Sequence, residues 1–333
     1  MINDKKIWII LGLTSIIFHI FLIFSGLIPN LVSRPLHMAL AIPWVFIYRK
    51  QLTKFIYLNY TLTLLGVFFC IWIALNHNSI SNQYGFIENH FQLFISLFLI
   101  YLVLEMARRC IGYPLPLVAF IALIYGVLGN LIPGEFGHPG IPMNSFFGNL
   151  VLAEGGIWGS LTNVSVTIVS IFVIFGCILN AGEAGEGFMN IAKLFAGKLK
   201  GGAAKVSIVS SALFGSISGS ASANVASTGS ITLPTMIKLG YPKRLAASVE
   251  AVASSGGQIM PPLMGAGAFV MVELTGIPYE KIIIASFLPA ILFFFTVWVG
   301  INFYANFLNL KPIPEKDTPN NKESLLNFLF FLI

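Results

Sequence analysis

Apolar runs of the length needed to cross a bilayer recur along this chain from end to end, and that recurrence limits what it can fold into. A spanning helix needs roughly 20 mostly apolar residues. Such runs fall at about 7–28, 36–48, 58–75, 91–104, 113–132, 164–181 and 282–306, with a small-residue region at 203–237 and a broken run at 245–275. Only helices fit, because an open strand edge in lipid leaves backbone groups unpaired and the alternation of a barrel is absent. The expected fold is therefore all-α and polytopic, with about eight spanning helices. Only 10% of the 333 residues are charged, too few to cover a water-soluble globule of this size. The first run is too long for a signal-peptide core and is read as an anchor.

The formal net charge of +6 looks like a nucleic-acid signal, but the basic residues lie between apolar runs and not on one face. They report topology instead, since Lys and Arg favour the cytoplasmic ends of short loops. With the N-terminus inside, Arg49, Lys50, Lys54, Arg108, Arg109, Lys193, Lys198, Lys200 and Lys205 all fall inside. The loops 76–90 and 133–163, which hold no Lys or Arg, fall outside. Lys238, Lys243 and Arg244 also fall inside only if 206–237 enters and leaves by the same face, as a re-entrant hairpin. With that assignment 17 of the 19 Lys and Arg are internal, and only Arg34 and Lys281 are external. The stretch Lys193–Lys205 reads as a basic amphipathic segment on the membrane surface.

Between Ala203 and Ser230, 18 of 28 residues are Gly, Ala or Ser. Small residues allow close helix packing in membranes, but that alone leaves the central hydroxyls and amide unexplained. Ser216, Ser218, Gly219, Ser220, Ser222 and Asn224 read as the tip of the hairpin, with backbone and hydroxyl groups free to bind. A second break follows at Ser254-Ser255-Gly256-Gly257-Gln258-Ile259-Met260-Pro261-Pro262, where tandem proline after tandem glycine cannot continue an α-helix. A mere proline kink is the competing reading. Paired breaks point to a transporter site, in which helix N-termini suit a carboxylate and freed carbonyls suit sodium.

Glu250 precedes the second break and reads either as a cation or proton ligand or as an interfacial residue near Lys243 and Arg244. Glu273 reads as interfacial, and Glu105 with Arg109, four residues apart, as a structural pair. Cys70, Cys110 and Cys177 have no disulfide or metal spacing and read as packing residues. His19, His37, His77, His90 and His138 stand singly, without metal spacing. Gly215-Ser216-Ile217-Ser218-Gly219 lacks the central serine of a hydrolase elbow, and no Walker A run exists. An enzyme is not expected, nor any cofactor.

The run FGSISGSASANVASTGSITLPTMIKLGYPKRLAASVEAVASSGGQIMPPLMGAGAFVMVELTGIPYEKI closely resembles the large, DctM-like membrane subunit of tripartite ATP-independent periplasmic (TRAP) transporters. With LEMARRCIGYPLP at 104–116 it looks in particular like the TAXI type, in which small and large membrane subunits are fused. The resemblance covers about 90–312 and is most specific over 210–280. It implies a multi-pass permease of the bacterial inner membrane, N-terminus cytoplasmic, working as an elevator built on an inverted repeat. Such a permease takes a small organic anion, dicarboxylate or amino-acid-like, from a periplasmic binding protein with inward sodium. Carried onto this chain, it implies substrate binding by Ser218, Gly219, Ser220, Ala221, Ser222 and Asn224. Sodium falls to Ser216, Gly256, Gly257, Gln258, Pro261 and Pro262, with no other metal.

The implied modules are a small-subunit-like part at 1–112, the first half of the large subunit at 113–310, and a remainder at 311–333. The family pattern holds two inverted halves, and this chain shows one hairpin and one broken helix. After the polar run KPIPEKDTPNNKES come nine residues, LLNFLFFLI, too short at about 1.5 Å each to cross a core of about 30 Å. A frameshift, a fragment or a split gene with a separate second half are equal readings. The alternative to transport is a non-transporting half-permease or a structural membrane partner.

Overall fold

The computed structural model describes residues 5–26, 28–48, 56–181 and 184–314. Of the sequence-based remainder at 311–333, residues 315–333 therefore lie outside the described residues. Every regular element among them is helical, and seven helices are long and apolar enough to cross a membrane. The chain is an all-α, multi-pass membrane protein. It divides into two compact units, at 1–168 and 169–333.

In the first unit the elements are α1 (Lys5–Ser25), α2 (Asn30–Pro43) with a π-helical turn (Trp44–Tyr48), α3 (Ile56–Leu75), α4 (His77–Ser81), α5 (His90–Ile111), α6 (Pro114–Leu128), α7 (Met143–Val151) and α8 (Ser160–Val164). Its core joins Ile42, Phe69, Cys70, Ile73, Ile95, Leu99 and Leu102 from α2, α3 and α5. Gly66 lets these helices close: a Cβ there would lie 2.6 Å from Leu102 Cδ2 and 3.1 Å from Ile42 Cδ1. By contrast α1 and α6 leave Ile9, Ile10, Ile17, Phe24, Leu117, Val118 and Ile121 exposed, as suits helices that face lipid.

Arg34, the exception to the charge pattern on α2, is buried. It donates to the Trp158 carbonyl, while Asn30 Nδ2 donates to Glu154 Oε2 at 2.7 Å. The guanidinium is thus committed to holding the 152–159 loop, which explains why a basic residue sits off the pattern. Glu105 takes both arginines, Arg108 Nε and Arg109 Nε each at 2.7 Å. Arg109 also lies 4.4 Å over the Phe46 ring, so the pair expected at four residues is a three-residue cluster that ties α5 to the end of α2. Two of the isolated histidines meet: His19 Nε2 and His37 Nδ1 are 2.8 Å apart. Of the cysteines only Cys70 packs inside; Cys110 and Cys177 are exposed, which corrects the packing assignment for those two. An apolar exterior facing lipid accepts a thiol as readily as a core does.

The second unit contains α9 (Ser170–Ala181), α10 (Ala184–Ala196), α11 (Gly202–Ser218), α12 (Ala221–Lys238), α13 (Lys243–Ser255), a 3₁₀ turn (Gly256–Gln258), α14 (Ala266–Thr275) and α15 (Tyr279–Phe307). The hairpin read from the sequence is formed by α11 and α12. Ser211 lies against Asn224 and Thr228, and Ser207 and Thr232 reach the same carboxylate, so the arms run antiparallel. The run at 245–275 is broken, as expected, and holds no single continuous helix. It is α13 and the ten residues of α14 separated by irregular backbone, as two glycines and two prolines require. The basic segment Lys193–Lys205 is in part internal, with Ala196, Ala203 and Ala204 in the core of this unit. The Glu273 side chain lies outside the described residues.

Two variants test this packing. Gly66→Leu forces a side chain into a filled contact and is expected to destabilise the first unit by about 1–3 kcal/mol, read as a lowered unfolding midpoint in detergent. Arg34→Leu frees the 152–159 loop and is expected to speed amide exchange at Trp158 and its neighbours, with α3 unaffected.

Candidate functional site

The two breaks meet. Gly219, at φ +57°, ends α11 in the left-handed conformation that glycine adopts without strain, and Ser220 starts α12 by accepting from the Ala223 amide at 3.4 Å. Opposite them, the Leu263 amide donates to the Ser216 carbonyl at 3.2 Å. A Cβ on Gly219 would fall 2.0 Å from the Leu263 carbonyl oxygen. Deeper in, Gly215 and Gly257 touch backbone to backbone, since a Cβ on Gly215 would lie 2.3 Å from the Gly257 Cα. Within the second break the Gly265 amide donates to the Gln258 carbonyl at 2.7 Å. Tyr279 Oη, stacked on Phe269, donates to the Pro262 carbonyl at 2.7 Å.

Asn224 sits where these contacts converge and is fully buried. Its Nδ2 donates to the Ser211 carbonyl at 2.8 Å and the Ser254 carbonyl at 3.4 Å, linking both arms of the hairpin to α13. Its Oδ1 has no hydrogen-bond partner, and neither has the buried Ser218 Oγ. An unpaired buried acceptor is costly, so Oδ1 is an oxygen left available to a ligand.

The residues singled out from the sequence divide accordingly. Ser216, Gly219, Asn224, Gly257 and the approach to Pro262 are brought together at one place. Gly256 is also buried there, but against Phe293 and Phe294 of α15. The Ser216 hydroxyl is turned back on its own helix, donating to the Leu213 carbonyl at 2.7 Å, so its carbonyl makes the contact with the second break. Ser220 and Ser222 face each other at 3.2 Å; Ser222 is exposed, and Ala221 opens α12 beside them. Pro261 is buried, whereas Gln258 and Pro262 are exposed, and the Pro262 carbonyl is already held by Tyr279.

Glu250 resolves one open alternative. It is 1% exposed, not interfacial, and accepts from Ser207, Thr228, Thr232 and Ser254. Of these hydroxyls, those of Ser207, Thr228 and Thr232 were not singled out from the sequence, and Ser254 only as the start of the second break. The available signal was spacing: Thr228 and Thr232, and Glu250 and Ser254, each four apart on a helix with no basic residue between them. Among the described residues no group of three or more His, Cys, Asp or Glu side chains is placed to hold a metal ion.

Residues 98–333, more than half the chain, match the family model for the tripartite ATP-independent periplasmic transporter, DctM component. The chain is similar to an uncharacterized protein, y4mL, of Sinorhizobium fredii, 25% identical over 61% of this chain and 45% of that protein. It is also similar to the C4-dicarboxylate TRAP transporter large permease protein DctM of Pseudomonas aeruginosa, 27% identical over 46% of this chain and 36% of the relative. A third relative is the isethionate TRAP transporter permease protein DctMQ of Oleidesulfovibrio alaskensis, 34% identical over 31% of this chain and 16% of the relative. The chain spans less than half the length of each of these relatives. The family is one of membrane permease components and not of enzymes, and the chain belongs to it: the DctM component family of TRAP transporters.

Proposed function

We propose that the chain is the membrane permease component of a sodium-coupled transporter that takes up a small organic anion from a periplasmic binding protein. The observation that carries this is the unpaired Asn224 Oδ1, buried where the hairpin tip and the broken helix close on each other. A neutral amide oxygen is a hard-cation ligand, and sodium takes such oxygens. The start of α12, with the half-buried Ser220 and exposed Ser222 hydroxyls beside Gly219, suits an acidic group of the substrate. Relatives named for C4-dicarboxylate, sialic acid and isethionate support this class, because each compound bears a carboxylate or sulfonate.

In this reading the chain lies in the bacterial inner membrane with its N-terminus in the cytoplasm, as the distribution of Lys and Arg favours. A fused, TAXI-type arrangement fits a small-subunit-like part ahead of the hairpin on the same chain. Transport requires the complete permease, with its second hairpin on this or another polypeptide, and the binding protein.

Uptake of radiolabelled organic acids into vesicles bearing the complete transporter tests the reading. Asn224→Leu is expected to lower sodium-stimulated uptake at least about tenfold, the equivalent of losing one ligand worth about 1.4 kcal/mol, and Ser220→Leu to raise the substrate concentration for half-maximal uptake. Wild-type sodium dependence in Asn224→Leu would remove the ion assignment.

A further inference from the structure

Glu250 is buried without a counter-ion. Among the described residues it forms no ion pair. The charged groups on the helices packed around it face elsewhere. On α11, Lys205 places its ammonium 5.0 Å over the Trp298 ring. Lys238 on α12, Lys243 and Arg244 on α13, and Glu280 and Lys281 on α15 are exposed. Four hydroxyls from three helices take the place of a cation: Oε1 accepts from Thr228 and from Ser254 at 3.2 Å, and Oε2 from Thr232 and from Ser207 at 2.8 Å.

The shell is closed around the carboxylate. A Cβ on Gly229 would stand 3.2 Å from Glu250 Cγ and 3.4 Å from its Cδ and Oε1, so the space between the glutamate and α12 is filled. A metal ion would have to spread the three helices, whereas a proton enters without displacing an atom. The hydroxyls also have somewhere else to turn. Thr228 Oγ1 lies 2.9 Å from the Asn224 carbonyl, and Thr232 Oγ1 lies 3.0 Å from the Thr228 carbonyl. A hydroxyl has one proton to donate and lone pairs to accept. With the carboxylate ionised, both threonines donate to it. With a proton on Oε2, Thr232 donates to the Thr228 carbonyl and accepts from the acid, so neither state leaves a buried polar group unpaired.

We propose that Glu250 is a proton-binding site of the second unit, its carboxylate taking up and releasing one proton inside a shell of four hydroxyls. The proton comes from water and returns to it, and one O–H bond forms and breaks at the carboxylate. The shell connects directly to Asn224: Thr228 shares its proton with the Asn224 carbonyl, the Ser254 carbonyl accepts from Asn224 Nδ2, and Ser211 Oγ lies 3.4 Å from both the Thr228 and Ser254 hydroxyls. The protonation site and the residue whose Oδ1 is open to an ion therefore belong to one hydrogen-bonded network.

The proposal deepens the transport reading but can be tested without it. Infrared difference spectra of the purified full chain in lipid nanodiscs, taken as the buffer is brought from alkaline to acidic, are expected to show a protonated-carboxyl stretch that is lost in Glu250→Gln. If every such band persists in Glu250→Gln, the proposal is overturned. Should that variant fail to fold, Thr232→Val keeps the carboxyl and removes its acceptor, which is expected to shift the same band to higher frequency; an unshifted spectrum also overturns the proposal. In vesicles with the complete transporter, an imposed pH gradient at fixed sodium is expected to change wild-type uptake and to leave that of Glu250→Gln unchanged. A wild type without uptake counts against the transport reading, and the infrared titration then decides the proton site alone.

Discussion

Backbone polar groups away from water must find partners within the protein, and the second unit is organised by that demand. It carries two interruptions of helical hydrogen bonding, each of which would be unstable alone in an apolar surrounding. Their freed groups are met by neighbouring elements of the same unit. The Ser216 carbonyl, freed at the end of α11, is met by the Leu263 amide, and the Pro262 carbonyl, freed by the second break, is met by Tyr279 Oη. The glycines at 215, 219 and 257 let the two backbones approach closely enough for this. Irregular backbone persists in both elements because the second break supplies a donor to the first and α15 supplies one to the second.

The same economy governs the buried side chains. Ser211 and Ser254 lend their carbonyls to Asn224 and their hydroxyls to the network around Glu250, so an amide and a carboxylate share one set of supports. Such networks polarise cooperatively, and the whole assembly is fixed by helices α11, α12 and α13 with little contribution from loops. The first unit handles its polar burden differently, pairing Arg34 with the Trp158 carbonyl and Glu105 with two arginines near helix ends. Formal charge is neutralised there by opposite charge or by carbonyl dipoles, and in the second unit by hydroxyls.

Much of this was legible in the sequence because lipid makes the rules strict. Length and hydropathy located the seven apolar helices, and Lys205 and Lys238 at its two ends bent 206–237 into a hairpin. The pattern Gly-Gly-Gln-Ile-Met-Pro-Pro located the second break through the absent amides of proline. What escaped was whatever depends on which faces meet. Thr228 and Thr232 look like ordinary hydroxyls of a small-residue helix until α13 is laid beside them, and Glu250 reads equally as a cation or proton ligand or as an interfacial residue near Lys243 and Arg244. His19 and His37 stand eighteen residues apart, and only the packing of α1 on α2 makes them neighbours. The cysteines show the same limit: apolar flanks do not distinguish Cys70, facing the core, from Cys177, facing outward.

The contact between Gly215 and Gly257 has a mechanical consequence. With no side chain between them there is no lubricating layer of rotamers to absorb relative motion, and sliding would separate main chains that are in direct register. The hairpin tip and the broken helix accordingly resist sliding past each other at this contact. Any displacement of one of these elements must carry the other with it and leave the seam between them closed.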